Sequence, residues 1–135
     1  MIKVVFGWSD NAERTAHDCH RHYLDVHAPL AVAAFKDVAG FVSLKYNRVR
    51  RYFVNDYEDP TPIDCEPEMD AFIELVFASA EHFSDAFGRP EMDWLRADNR
   101  NIMDVNRKAS VRVYEVEEFQ ILSADPAPTP QSEHP

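Results

Sequence analysis

The 135-residue chain is poor in glycine, cysteine and basic side chains, and each shortage excludes a class of protein. With three glycines in all, a glycine-rich loop that cradles nucleotide phosphates is excluded. The two cysteines, Cys19 and Cys65, form neither a disulfide framework nor a CxxC motif, so we expect a cytoplasmic protein. Fourteen basic against 24 acidic residues give a net charge of −10, which argues against nucleic-acid binding and against docking on an anionic membrane.

Long apolar segments are also missing from the chain. The longest apolar run, residues 28–35, is far too short to span a bilayer, and no signal-peptide pattern precedes the first strand. The length and the 45% content of hydrophobic residues are typical of one domain with its own core, which we place at residues 1–122. Residues 123–135 carry four prolines and little to bury, so we expect a disordered tail there.

The hydrophobic pattern predicts elements in the order β-α-β-β-α-β. Alternating apolar residues indicate strands at residues 2–8, 41–49, 69–77 and 108–119. Helices are predicted at residues 12–27, 30–38, 80–87 and 90–103. We expect an N-cap for the first helix at residues 9–11, and we expect this helix to end or kink near Pro29. Residues 54–70, with seven acidic and no basic side chains, are predicted to form a long exposed connection.

This order is that of an α+β, ferredoxin-like fold with a four-stranded antiparallel sheet. The predicted strands carry apolar residues on both faces, whereas the helices are sufficient to cover only one face. A second copy of the same sheet would cover the other face. We therefore expect a homodimer formed through the sheet faces.

Three stretches together resemble the EthD-like family of dimeric α/β-barrel proteins: MIKVVF, HYLDVHAPLA and ELVFASAEHF. The resemblance covers residues 1–119. It implies that two ferredoxin-like subunits pack sheet to sheet, and that each keeps a small-molecule cleft between its own sheet and helices. The family is functionally mixed and includes an accessory protein of ether-degrading P450 operons. Its wider relatives include polyketide cyclases, muconolactone isomerases, cofactor-free monooxygenases and heme-degrading enzymes.

His27 and Tyr46 are the candidate catalytic residues. His27 matches the family's histidine in the VHAPL segment, and a histidine can move protons near neutral pH. The alternative is a helix-end histidine bonded to a backbone carbonyl. Isomerase-type relatives place a tyrosine on the second strand beside this histidine, and that resemblance gives the role to Tyr46. The alternative for Tyr46 is a core tyrosine with its hydroxyl at the rim.

The third strand carries a departure from the isomerase-type relatives, which use a cysteine there. The match of ELVFAS places Leu75 at that position, which puts a thiol-dependent lactone isomerisation in doubt. Glu74 precedes it and faces the other side of the strand. Glu74 is a candidate for contact with the substrate as a second acid or base, with a solvent-side or interface carboxylate as the alternative.

Aromatic residues at the end of the first strand and on the first helix are candidates for a substrate pocket. Phe6, Trp8 and Tyr23 would suit a flat apolar ligand, with His20 also lining the cleft. An ordinary core is the alternative, more so for Phe6, whereas we expect Trp8 to be exposed at the rim.

Four of the six histidines crowd the first predicted helix: His17, His20, His22 and His27. Their spacings include no i,i+4 pair of the HExxH kind, and no second ligand cluster is present. We therefore expect no metal and no cofactor. Heme ligation by His82 or His27 is the alternative.

The first functional hypothesis is a cofactor-free lyase, dehydratase, cyclase or isomerase that acts on a small, largely apolar carbonyl, lactone or aromatic compound. His27 would move a proton next to a carbonyl, and Tyr46 would donate a hydrogen bond to the enolate oxygen. One alternative is a non-catalytic ligand-binding accessory protein of a catabolic operon. The other is a cofactor-independent monooxygenase that acts on a phenolic substrate.

Overall fold

The computed structural model describes residues 1–107 and 110–124. The strands, in chain order, are β1 (Ile2–Trp8), β2 (Phe41–Arg48), β3 (Phe53–Val54), β4 (Ile63–Asp64), β5 (Ala71–Phe77) and β6 (Val111–Val116). Four of them form one antiparallel sheet in the order β2-β5-β1-β6, while β3 and β4 pair as a small separate hairpin. This is the predicted α+β, ferredoxin-like fold.

The described residues also form four short α-helices: α1 (Ala16–His22), α2 (Ala28–Phe35), α3 (Ala80–Phe87) and α4 (Met92–Asp98). A π-helical segment, Tyr23–His27, joins α1 to α2, and a 3-10 turn, Asn99–Asn101, follows α4. Ser79 caps α3 as the sequence predicts. The N-cap of α1 was predicted at residues 9–11, but it is Thr15. The Thr15 hydroxyl accepts the backbone N–H of Asp18 at 3.0 Å, and the helix begins at Ala16.

Of the two outcomes predicted near Pro29, an end or a kink, the structure excludes the end of the helix. The backbone N–H of Ala28 donates to the carbonyl of Tyr23, five residues earlier, so the helix widens for one turn. Pro29 then lies in the first turn of α2, where a missing N–H is tolerated. The chain therefore stays helical from Ala16 to Phe35.

Other elements also begin or end at residues that differ from the predicted ones. The exposed connection contains the β3–β4 hairpin, in which Arg51 and Asp64 form an ion pair of 2.6 Å. The strand predicted at residues 69–77 begins at Ala71, and the helix predicted at residues 90–103 is α4 plus the 3-10 turn. The predicted start of the last strand at Lys108, and the predicted tail from residue 125 onward, lie outside the described residues.

All four helices lie on one face of the sheet, where alternate strand residues form the core. Val4, Leu75 and Phe77 are fully buried on that face. The opposite face carries Val5, Phe72 and other residues that stay partly exposed. Within the described part of the chain, no helix is long and apolar enough to cross a membrane.

Candidate active site

A cavity of about 290 Å³ lies between the sheet and the helices. Its wall is mainly apolar, and side chains from β1, β5, α2 and α4 contribute to it. A cavity of about 150 Å³ accommodates benzene, so this one has room for about two fused rings. Leu75 is part of the wall, at the position where isomerase-type relatives would place a cysteine. The free cysteines, Cys19 and Cys65, do not line it.

Aromatic rings form one side of this cavity. Trp8 and Tyr23 stack with ring centroids 5.8 Å apart, and Phe6 stacks on Phe87 at 5.6 Å. The sequence placed these three residues, Phe6, Trp8 and Tyr23, near a substrate pocket, and all of them line the cavity. Trp8 is only 4% exposed, which corrects the prediction that it lies at an exposed rim. Its ring packs instead against the helical layer, with Tyr23 as its neighbour.

His27 also lines the cavity, and Asp98 holds it in place. The Nδ1 atom of His27 lies 2.9 Å from Oδ2 of Asp98, and both residues are buried. An ionised carboxylate only accepts hydrogen bonds, so the proton of the neutral imidazole is on Nδ1. Nε2 is therefore the ring nitrogen that carries a free lone pair. This is the arrangement of a general base oriented by a carboxylate.

The protonation states follow from burial and pairing. Burial lowers the pKa of His27, and the opposing effect of the hydrogen bond that His27 donates to Asp98 only partly restores it. Burial acts to raise the pKa of Asp98, but hydrogen bonds from His22, Asn101 and His27 outweigh it, so that pKa is lowered. At neutral pH the pair is thus a neutral imidazole beside an ionised carboxylate.

The π-helical segment explains why two histidines reach the same carboxylate. His22 and His27 are five residues apart, a spacing that a regular α-helix would turn to different sides. The wide turn aligns residues five apart instead, and His22 Nε2 lies 2.8 Å from Oδ1 of Asp98. The side-chain amide of Asn101 donates to the same oxygen at 2.9 Å. Asp98 is therefore fully engaged on both oxygens.

Tyr46 and His20 lie apart from the His27 cavity. The Tyr46 ring stacks on Tyr23 with centroids 3.8 Å apart, and its hydroxyl is 3.2 Å from Nδ1 of His20. Tyr46 lines a second cleft, between α2 and the edge strand β2, of about 430 Å³. His20 lines neither space. The structure thus places Tyr23, rather than Tyr46, in the same cavity wall as His27.

Glu74 lies on the opposite face of the sheet from the cavity. Its carboxylate pairs with Lys3 at 2.9 Å and accepts a hydrogen bond from the Asn47 amide at 3.1 Å. The Lys3 ammonium lowers the pKa of Glu74, so the carboxylate is ionised at neutral pH. The structure therefore does not bring Glu74 together with the other predicted site residues.

The histidines do not assemble a metal site in residues 1–107 and 110–124, where no group of three or more His, Cys, Asp or Glu residues could hold a metal ion. His82, the alternative heme ligand, has its Nδ1 2.7 Å from the Ser79 hydroxyl at the start of α3. It does not line the cavity.

Comparison with known proteins places the chain among small ferredoxin-like proteins, although no curated protein matches it. An EthD family protein from Bacillus halodurans shares 17% identity, with a TM-score of 0.53 and coverage of 88% of this chain and 99% of that one. A cofactor-independent oxygenase from Streptomyces nogalater, SnoaB, shares 15% identity, with a TM-score of 0.54 and coverage of 91% and 97%.

A dimeric ferredoxin-like protein of unknown function from Jannaschia sp. shares 13% identity, with a TM-score of 0.57 and coverage of 87% and 98%. These likenesses concern the fold. The sequence itself gives the family, because the EthD domain model matches residues 12–106, which include His22, His27 and Asp98. The chain therefore belongs to the EthD family.

Proposed function

We propose that the protein is a cofactor-free enzyme that moves a proton at a carbon atom next to a carbonyl group in a small, largely apolar ring compound. A lyase, dehydratase, cyclase or isomerase reaction would begin in this way. The observation that carries the proposal is the buried hydrogen bond between His27 and Asp98 in the wall of an apolar cavity. Membership of the EthD family supports a role in small-molecule chemistry.

The geometry fits a simple sequence of bond changes. Nε2 of His27 takes the proton as the carbon–hydrogen bond breaks, and the electron pair moves onto the carbonyl oxygen to give an enolate. Asp98 stabilises the imidazolium that forms and holds its ring in one orientation. The proton then returns to another atom of the substrate, either a carbon or a leaving group. The apolar wall excludes water, which strengthens these charge interactions.

Hydrogen–deuterium exchange on β-tetralone tests this proposal without knowledge of the natural substrate. This bicyclic ketone is of a size that the cavity of about 290 Å³ can hold. Its acidic carbon–hydrogen bonds exchange in deuterated water once a base removes a proton. We expect the protein to accelerate the exchange, and His27→Gln to reduce the acceleration by about 100-fold, the usual weight of a general base. His17→Gln, on the exposed side of α1, is the matched control and should exchange like the parent.

A parent protein that binds β-tetralone but never accelerates exchange would contradict the proposal. It would favour the non-catalytic binding protein, in which the same cavity holds a ligand without chemistry. Equal exchange rates for the parent and for His27→Gln would show that His27 does not move the proton.

The second candidate function is a cofactor-independent oxygenase, because the similar protein SnoaB is described as one. In such a reaction His27 would deprotonate a phenol, and the resulting electron-rich ring would react with dioxygen. Oxygen consumption separates the two functions, since proton transfer alone consumes none. Uptake of dioxygen in step with loss of a phenolic substrate such as β-naphthol would favour the oxygenase.

A further inference from the structure

Two polar groups in the cavity wall are buried and have no hydrogen-bond partner among residues 1–107 and 110–124. Tyr23 is 3% exposed and Trp8 is 4% exposed, and both line the cavity. Neither the Tyr23 hydroxyl nor the Trp8 indole N–H forms a hydrogen bond with any residue of the described part of the chain. Buried polar groups in native proteins are nearly always paired, because an unpaired one costs free energy, so each such group needs an explanation.

Asn99 adds a third donor to the same wall. It directly follows Asp98 in the chain, lines the cavity and is partly buried. Its side-chain amide also has no hydrogen-bond partner within residues 1–107 and 110–124. The hydrogen bond between Asp98 and His27 holds the start of this turn next to His27, and Asn99 and His27 line the same cavity.

The cation at the rim is already engaged. Arg96 lines the cavity, but its guanidinium donates to the Asp93 carboxylate at 2.8 Å and to the Phe87 carbonyl at 3.1 Å. The free groups are thus neutral donors. A carboxylate would lose its hydration in the cavity and would find no unpaired cation among the described residues of this wall. Neutral donors therefore favour a neutral oxygen acceptor.

We infer that Tyr23, Trp8 and Asn99 form an oxygen-binding set for the carbonyl group of the substrate, and that the substrate is an uncharged cyclic ketone or phenol of about two rings. This inference rests on the proposed function. Tyr23 is one helical turn before His27, with ring centroids 5.1 Å apart, so base and donor share one wall. Donors aimed at the oxygen where charge develops stabilise the enolate more than the ketone.

The state of Tyr23 agrees with this role. Burial raises the pKa of its hydroxyl, so Tyr23 remains a protonated donor at neutral pH. The Tyr23 ring stacks on Trp8 and on Tyr46, and these two contacts hold it in one plane. A rigid donor loses little entropy when it forms a hydrogen bond with a ligand.

Binding of three probes of equal ring size tests the inference: naphthalene, β-tetralone and β-naphthoate. We expect the parent to bind β-tetralone at least about 10-fold more tightly than naphthalene, and β-naphthoate more weakly than β-tetralone. Tyr23→Phe and Asn99→Leu should each reduce the preference for the ketone to about 3-fold or less. Their affinity for naphthalene should stay within about 2-fold of the parent, because the apolar wall is kept. Tyr57→Phe, a fully exposed position at 101%, is the matched control.

The exchange assay on β-tetralone supplies the second measurement. Tyr23→Phe should lower the maximal exchange rate by about 100-fold, the usual effect of losing one donor to a developing oxyanion. Normal exchange by Tyr23→Phe with slow exchange by Tyr46→Phe would overturn the inference and return the role to Tyr46. A parent that binds naphthalene and β-tetralone equally would also overturn it.

The two proposals fail in distinguishable ways. If the parent catalyses no exchange but Tyr23→Phe loses the ketone preference, proton transfer is wrong and the oxygen-binding set stands. If His27→Gln abolishes exchange and both donor variants behave like the parent, the proposed function stands and the oxygen-binding set is wrong.

Discussion

Asp98 organises the candidate site through its two carboxylate oxygens. One oxygen accepts from His27, and the other accepts from both His22 and Asn101. Its charge therefore sets the tautomer of His27 and stabilises a proton that arrives there. Partners of a base that do not touch substrate often decide its orientation in this manner.

Asp98→Asn should preserve the fold yet impair catalysis. The amide keeps the shape of the side chain but loses the negative charge that raises the pKa of His27, so that pKa should fall further. We expect exchange on β-tetralone to slow by about 10-fold to 100-fold, with the acid limb of its pH profile displaced to lower pH. Asn101→Ala is the comparison variant, since it removes one hydrogen bond from Asp98 and leaves the charge in place. An unchanged rate and profile in Asp98→Asn would contradict the account of this pair.

The folding stability should depend on pH in a way that reflects the burial of His27. The pKa of His27 lies below its ordinary value of 6.5, so below pH 6.5 the unfolded chain binds this proton more readily than the folded one. The contribution of His27 to the free energy of unfolding is therefore fully present above pH 6.5. It declines as the pH falls towards the pKa of His27 in the folded state. Urea unfolding of the parent and of His27→Gln at several pH values checks this, and the variant should show the shallower decline.

At the scale of elements, the π-helical segment between α1 and α2 determines which side chains meet. Its one wide turn brings His22 into line with His27 and carries the helix past Pro29. Tyr23 and His27 are four residues apart, so a helical period of 3.6 residues already puts them on one side of the helix. The same periodicity could not predict the pairing of residues five apart, so His22 was missed.

Asp98 could not have been identified from the sequence either. It is 71 positions from His27, and the other carboxylate of the same helix, Asp93, has a similar local sequence context. The separation of Tyr46 from the cavity was equally hidden, because it results from the stacking of its ring on Tyr23. His27 itself was found through the VHAPL motif, and the strand order through period-two patterning. Local signals therefore predicted the fold and singled out His27, while the contacts around His27 depend on tertiary packing.

The turn before β2 provides a test at the element scale. Gly40 has a φ of 79°, and a Cβ atom there would meet the ring of His82. Gly40→Ala should therefore lower the free energy of unfolding by about 1–3 kcal/mol. Gly88 ends α3 with a φ of −86°, and the nearest atom to an added Cβ is 3.6 Å away. Gly88→Ala should consequently be neutral or stabilising by up to about 1 kcal/mol, and urea midpoints compare the two.

At the scale of the whole molecule, the sheet face opposite the helices carries partly exposed apolar side chains. Phe72 and Val76 of β5 and Tyr114 of β6 lie on it, with the Lys3–Glu74 ion pair between them. A second copy of this face would bury these side chains.

We expect a homodimer of twice 15.6 kDa, about 31 kDa, with more than about 1,000 Å² of total buried area. Sedimentation at low micromolar concentration should show this species. Phe72→Asp should shift the protein to monomer, because a charge would be buried in the interface. Val32→Asp, an exposed position at 57% on α2, should leave the dimer intact. A monomeric parent would contradict the expectation.

The segment after β6 should contribute little to stability or activity. Deletion of residues 124–135 should leave the melting temperature and the exchange rate unchanged, because this proline-rich stretch has few side chains to bury. A fall in the melting temperature of more than about 4 °C, about 1 kcal/mol for a domain of this size, would show that the segment docks.

The central claim is that His27 itself moves the proton, and one measurement tests it most directly: the pH dependence of β-tetralone exchange beside the NMR titration of His27 in the same protein. The neutral imidazole is the active form, so the rate should rise with pH and level off, with a midpoint below 6.5. The account predicts that this kinetic midpoint equals the titration midpoint of His27 and that the acid limb disappears in His27→Gln. A profile that persists in His27→Gln, or a kinetic midpoint that differs from the titration of His27, would contradict it.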